Sequence, residues 1–177
     1  MSKTQIPHLP PEMIEHILKR SYSSTLQNCL EIKYLAEFAQ KELDKRYQRC
    51  LKVLIELGMN EVEAKYNLAK GKIYLYNVCM KVTDTSITAL AENCSGLTEI
   101  YLSFCYNITD TSVTALANNC SGLTTIYLSL CSNITDTAKQ LLRDYLFTHN
   151  GIGLWERDEC DCYVDDDDAN ACKGMVN

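Results

Sequence analysis

Ten cysteines and three histidines are the residues of this 177-residue chain best suited to chemistry. His8, His16 and His149 are scattered, and none has a Cys, Asp or Glu at a spacing that makes a metal or nucleophilic constellation. Cys160 and Cys162, with Cys172 beyond them, place soft ligands in an acidic setting. Two ligands one residue apart followed by a nine-residue gap match no common zinc spacing. Residues 165–168 are four aspartates, without the alternation and glycine of a calcium loop. There is no phosphate loop and no paired-carboxylate signature. The expectation is therefore a binding protein, not an enzyme, with no catalytic residue, no metal and no cofactor.

Charge narrows the partners. The formal net charge is −6, and residues 155–177 alone hold eight acidic and two basic side chains, so the remaining residues balance at 15 of each. The folded part thus has no global basic field for nucleic acid. Residues 149–177 read as an acidic, cysteine-containing tail, solvated and disordered. No apolar run is long enough to cross a membrane. The opening MSKTQIPHLPPE lacks the apolar core of a signal peptide.

The elements that must position any binding surface are written twice in the chain. Residues 80–105 and 106–131 differ at only seven of 26 positions. Self-similarity at a fixed period marks stacked supersecondary units, none of which buries its apolar face alone. Within a unit, Val113, Leu116, Ala117 and Cys120 recur at helical spacing. Thr109 and Asp110 supply oxygens for the first turn. After Ser121-Gly122 the period becomes two, with Leu123, Ile126 and Leu128 pointing inward. An earlier strand over residues 73–76 and a later helix over residues 135–148, with Lys139 in place of Ile87 and Val113, extend the array to residues 71–148.

The pattern of Ile108, Thr109, Asp110, Leu116, Ala117, Cys120, Leu123, Ile126, Leu128 and Cys131 resembles the cysteine-containing leucine-rich repeat. The resemblance implies an α/β fold: a short solenoid of parallel strands with outer helices, preceded by a small all-helical region. It also accounts for Cys79, Cys94, Cys105, Cys120 and Cys131 as reduced structural thiols, which suits a cytoplasmic or nuclear location (a host cell if viral). The sequons at Asn107 and Asn133 are accidents of the repeat.

A second resemblance lies at residues 9–18, LPPEMIEHIL, which look like the opening helix of an F-box. Met13, Ile14, Ile17 and Leu18 form an apolar stripe at helical spacing. The following segment keeps apolar spacing but lacks the tryptophan of the F-box pattern; the only Trp is Trp155. Residues 1–50 are then an F-box-like helical region and residues 51–70 a helical bridge.

Together the resemblances imply a substrate-recognition subunit of a Skp–cullin–F-box ubiquitin ligase, monomeric within that complex. Leu9, Pro10, Ile14, Ile17 and Leu18 would meet the Skp-type adaptor, which in turn joins the cullin. The target protein would meet the outer side of the strands, at Tyr74, Tyr76, Glu99, Tyr101, Ser103, Thr125, Tyr127 and Ser129. Tyr74, Tyr101 and Tyr127 take the same place in successive strands, about 4.8 Å apart, so their rings should stack. The alternative is a repeat scaffold with no ubiquitin role.

Overall fold

The computed structural model describes residues 10–21, 23–94 and 96–150. In chain order the elements are α1 (Pro11–Lys19), α2 (Ser23–Cys29), α3 (Ala36–Leu57), α4 (Glu61–Lys70), β1 (Lys72–Tyr74), a 3₁₀ segment (Tyr76–Lys81), α5 (Asp84–Asn93), β2 (Glu99–Tyr101), α6 (Asp110–Asn119), β3 (Thr125–Tyr127) and α7 (Asp136–Asn150).

The expected α/β solenoid is corrected. Among the described residues helix outweighs strand by 62% to 7%, so that part of the chain is mostly helical with one small three-stranded sheet. The reason is local. Each strand is three residues long because the backbone turns immediately after it. Cys105 N–H donates to Leu102 C=O, and Cys131 N–H to Leu128 C=O. Phe104 and Leu130, inside those turns, adopt positive φ. A ten-residue helix, α5 or α6, lies between each pair of successive strands.

The sheet itself is parallel, in the order β1-β2-β3, with Tyr74 paired to Tyr101 and Tyr101 to Tyr127. Ile73, Leu75, Ile100, Leu102, Ile126 and Leu128 are all fully buried beneath it. This is the inward half of the two-residue alternation. Helices α5, α6 and α7 pack side by side over that layer, contributing Ile87, Leu90, Val113, Leu116, Leu142 and Leu146.

Caps repeat with the units. Thr83 precedes α5 and forms a reciprocal capping box with Ser86, whereas Thr109 caps α6 through Thr111 N–H. Each cap satisfies a first-turn donor that has no intrahelical partner. The helix ahead of the sheet, α4, starts at Asn60, whose side chain accepts from Glu63 N–H. It ends at Gly71, whose φ of +66° suits a residue without Cβ.

Helix α3 joins two cores. Its N-terminal part supplies Ala39 to a small cluster with Ile14, Leu18, Leu26 and Cys29, while Cys50, Leu51, Leu54 and Leu57 belong to the large core of the repeats. The domain boundary expected at residue 50 therefore falls inside one continuous helix. Arg46, half-way along it, donates to the carbonyls of Lys19 and Ser21 at 3.3 and 2.7 Å. Buried Glu42 faces Arg46 one turn away at 3.6 Å. Their pairing locks the end of α1 onto α3.

The expectation of five free repeat cysteines is also corrected. Cys94 is bonded to Cys50, a disulfide with a Cα–Cα distance of 6.1 Å that ties α5 to α3. Cys79, Cys105, Cys120 and Cys131 are free thiols. Among the described residues, no helix is long and apolar enough to cross a membrane.

Candidate interaction surface

The tyrosine row lies on the side of the sheet opposite the buried Ile and Leu layer. Tyr74 and Tyr101 stack with ring centroids 4.5 Å apart, and Tyr101 and Tyr127 with centroids 4.2 Å apart at an interplanar angle of 11°. Tyr76 meets Tyr74 edge-on at 6.4 Å. In-register parallel pairing sets this spacing: identical residues on adjacent strands are held about 4.8 Å apart, close to ring-stacking distance.

Stacking decides which atoms a partner meets. Both faces of the central Tyr101 ring are covered by Tyr74 and Tyr127, so a partner meets its edge and hydroxyl. Tyr101 O–H donates to Glu99 at 3.2 Å, and Glu99 also pairs with Lys72 at 2.8 Å. Burial, followed by the hydrogen bond and charge of Tyr127, pushes the Tyr101 phenol well above its usual range. The hydrogen bond to Glu99 holds the Lys72 ammonium above its ordinary value. The surface is therefore near neutral: phenols with one internal ion pair. Thr125, Ser103 and Ser129 are half-buried beside the row and Tyr76 is exposed. Of the eight residues expected to meet a target, Tyr74, Tyr76, Glu99, Tyr101, Thr125 and Tyr127 are brought together by these pairings and ring contacts.

The adaptor residues expected on α1 are not brought together on the surface. Ile14 and Leu18 are 2% and 4% exposed, turned into the small core. Pro10 is exposed, as are Ile17 and Met13 at 48% and 50%, and Leu9 lies outside the described residues. Helical geometry explains the split, since i and i+4 face one way. Sequence alone did not say which part of the wide apolar stripe the chain keeps for itself. Met13, omitted from the expected contacts, was findable from that stripe.

The remaining chemistry is quiet. Among the described residues no group of three His, Cys, Asp or Glu could hold a metal ion. Cys160, Cys162, Cys172 and the aspartates 165–168 lie outside them, so the expectation of a solvated tail is not addressed there. Burial pushes the Cys120 thiol up to about 12 and that of Cys131 to about 11, and raises Cys105 as well. Such thiols stay protonated and are poor nucleophiles. They act structurally instead: Cys131 Sγ donates to Leu102 C=O at 3.1 Å, and Cys120 Sγ to Ala91 C=O at 3.7 Å.

A cleft of about 370 Å³ runs beside the Cys50–Cys94 bridge, between α3 and the start of the sheet, lined in part by Tyr47, Asp44, Leu43, Leu68 and Asn93. No nucleophile–base pair lines it. No family model matches the chain, and no curated protein matches it either.

Proposed function

We propose that the chain is a non-catalytic recognition subunit of a Skp–cullin–F-box ubiquitin ligase. In this reading α1 docks on the Skp-type adaptor and the tyrosine row captures the target protein. The observation that carries it is α1 itself. After Ile14 and Leu18 are committed to the small core, Pro10, Met13 and Ile17 remain as an exposed apolar strip on a helix whose sequence resembles an F-box opening. An apolar strip left over on a helix is a natural place for a partner helix. The subunit contributes proximity and orientation, and no bond-breaking chemistry.

A second reading, an interaction scaffold with no ubiquitin role, is favoured by one fact. Two of the five residues expected to touch the adaptor, Ile14 and Leu18, are buried in the chain's own core.

The test is capture of the full chain on a purified Skp-type adaptor, wild type against the double substitution Met13→Asp, Ile17→Asp. These positions are exposed, so the variant leaves the core intact. Binding by wild type and its loss in the variant support the ligase reading. No binding by wild type discards it in favour of the scaffold.

A further inference from the structure

A disulfide stands where the repeat asks only for a thiol. In the second unit Cys120, the counterpart of Cys94, stays free and donates to Ala91 C=O at 3.7 Å. Cys94 is bonded instead to Cys50 of α3, a helix that precedes the repeats. Both cysteines line the cleft of about 370 Å³ between α3 and the start of the sheet. Gln40, Leu43, Tyr47 and Cys50 recur at i, i+3, i+7 and i+10, so they share one side of α3. All four line the cleft, and Leu68 and Leu97 add to its apolar wall.

Charges of both signs flank this bridge. Asp44, exposed in the cleft lining, accepts a hydrogen bond from Gln40 at 2.8 Å. It precedes Cys50 by six residues, about 9 Å along the helix. Arg49 donates to the Asn93 side-chain oxygen at 3.3 Å. These two residues are the chain neighbours of Cys50 and Cys94, so a guanidinium crosses between the same two helices as the bridge. Its side chain stays 49% exposed while pairing with Glu42 at 3.7 Å.

We propose that the cleft docks a short thiol peptide, carrying a free ammonium and a carboxylate, that exchanges with the Cys50–Cys94 bridge. The ammonium pairs with Asp44, the carboxylate meets Arg49, and the thiol reaches the bridge. Two or three extended residues span about 7–11 Å, which matches the distance from Asp44 to Cys50 along α3. Access helps to decide which sulfur is attacked, and Cys94 is 6% exposed against 1% for Cys50. The peptide thiolate attacks Cys94 Sγ, forming a mixed disulfide as the Sγ–Sγ bond breaks. Cys50 leaves with the electron pair and takes a proton from water. One disulfide replaces another, with no net oxidation. The peptide is then held on the end of α5, and the covalent tie between α3 and the repeats is open. Cys50 reverses the step by attacking the mixed disulfide and expelling the peptide thiol.

The experiment incubates the bridged full chain with glutathione, quenches in acid, caps free thiols with N-ethylmaleimide and maps the peptides. Glutathione should be found on Cys94 and maleimide on Cys50. At equal thiolate concentration, glutathione should react at least about threefold faster than 2-mercaptoethanol, as two exposed ion pairs allow. Asp44→Asn, at an exposed position, should slow glutathione about two- to fivefold and leave 2-mercaptoethanol unchanged. No mixed disulfide, or glutathione on Cys50, would overturn the proposal. Equal rates for the two thiols, or equal slowing of both in the variant, would remove the docking site. A rate that climbs with urea below the unfolding transition assigns exchange to unfolded chains and overturns it as well.

Discussion

Asp84, the first residue of α5, accepts both the backbone N–H and the hydroxyl of Thr109, each at 2.8 Å. Thr109 is the N-cap of the next helix, α6. One unit therefore caps itself and also fixes the entry of its successor. Asp110 repeats the arrangement on Thr135 at 2.8 and 2.7 Å. Ser112 O–H adds a third donor to Asp84. Partial burial works to raise the Asp84 pKa, but the hydrogen bonds from Ser112 and Thr109 outweigh it and hold the carboxyl below its ordinary value.

Asp84→Ala should therefore destabilise the fold by about 2–4 kcal/mol, since hydrogen bonds to a charged acceptor contribute about 1.5–3 kcal/mol each and the site is partly solvated. The sign of the pH effect follows. A carboxyl with a depressed folded pKa stabilises above its unfolded value, about 3.9, and that contribution is lost as pH falls through the folded pKa. Urea melts between pH 7 and pH 2 should show a shallower acid loss for Asp84→Asn than for wild type.

Reduction of the Cys50–Cys94 bond should lower stability by about 2–4 kcal/mol, because it frees a long loop in the unfolded chain. The two cysteines are 44 residues apart. Thermal melts with and without a dithiol, alongside a non-reducing peptide map that finds Cys50 joined to Cys94, check it. A map with all cysteines free would remove the bridge from the account.

Gly71→Ala should cost about 1–3 kcal/mol, as expected for a strained backbone position. Its φ is +66°, and an added Cβ would collide with the Gly96 carbonyl oxygen. Gly96→Ala meets no heavy atom within 4 Å and serves as the neutral control. Chemical denaturation of the two variants decides between strain and a general intolerance of the loop.

Ile14→Ala should cost about 2–4 kcal/mol through the cavity it leaves, while Ile17→Ala should stay within about 0.5 kcal/mol. The two residues sit on one helix, three apart, and differ in exposure from 2% to 48%. Equal losses would mean that α1 does not seat on α3 as described.

Tyr101→Ala removes two stacked pairs, each worth about 0.2–1 kcal/mol. If the row captures a target, the same change should weaken capture by at least about 2 kcal/mol, as a central tyrosine anchor does. A triple alanine variant that folds and still captures target would make the row purely structural.

Much of the local structure was legible in the sequence because short-range rules govern it. The change of period at Ser121-Gly122 marks where α6 ends and β3 begins, and Leu123, Ile126 and Leu128 are all fully buried. Identical residues at a 26-residue interval fold into identical units, so register and the stacking of Tyr101 on Tyr127 follow from repetition alone. Other features depended on which surfaces meet. Strand length was set by the turns after Leu102 and Leu128, which made the described part of the chain mostly helical rather than the expected α/β solenoid. Cys50 and Cys94 are far apart in sequence and were brought together only when α3 crossed α5. Whether Ile14 or Ile17 faced solvent was decided by where α3 lay against α1, with Arg46 holding it there. Periodicity fixes which residues share a face of a helix, but only packing decides which part of a wide apolar face is buried.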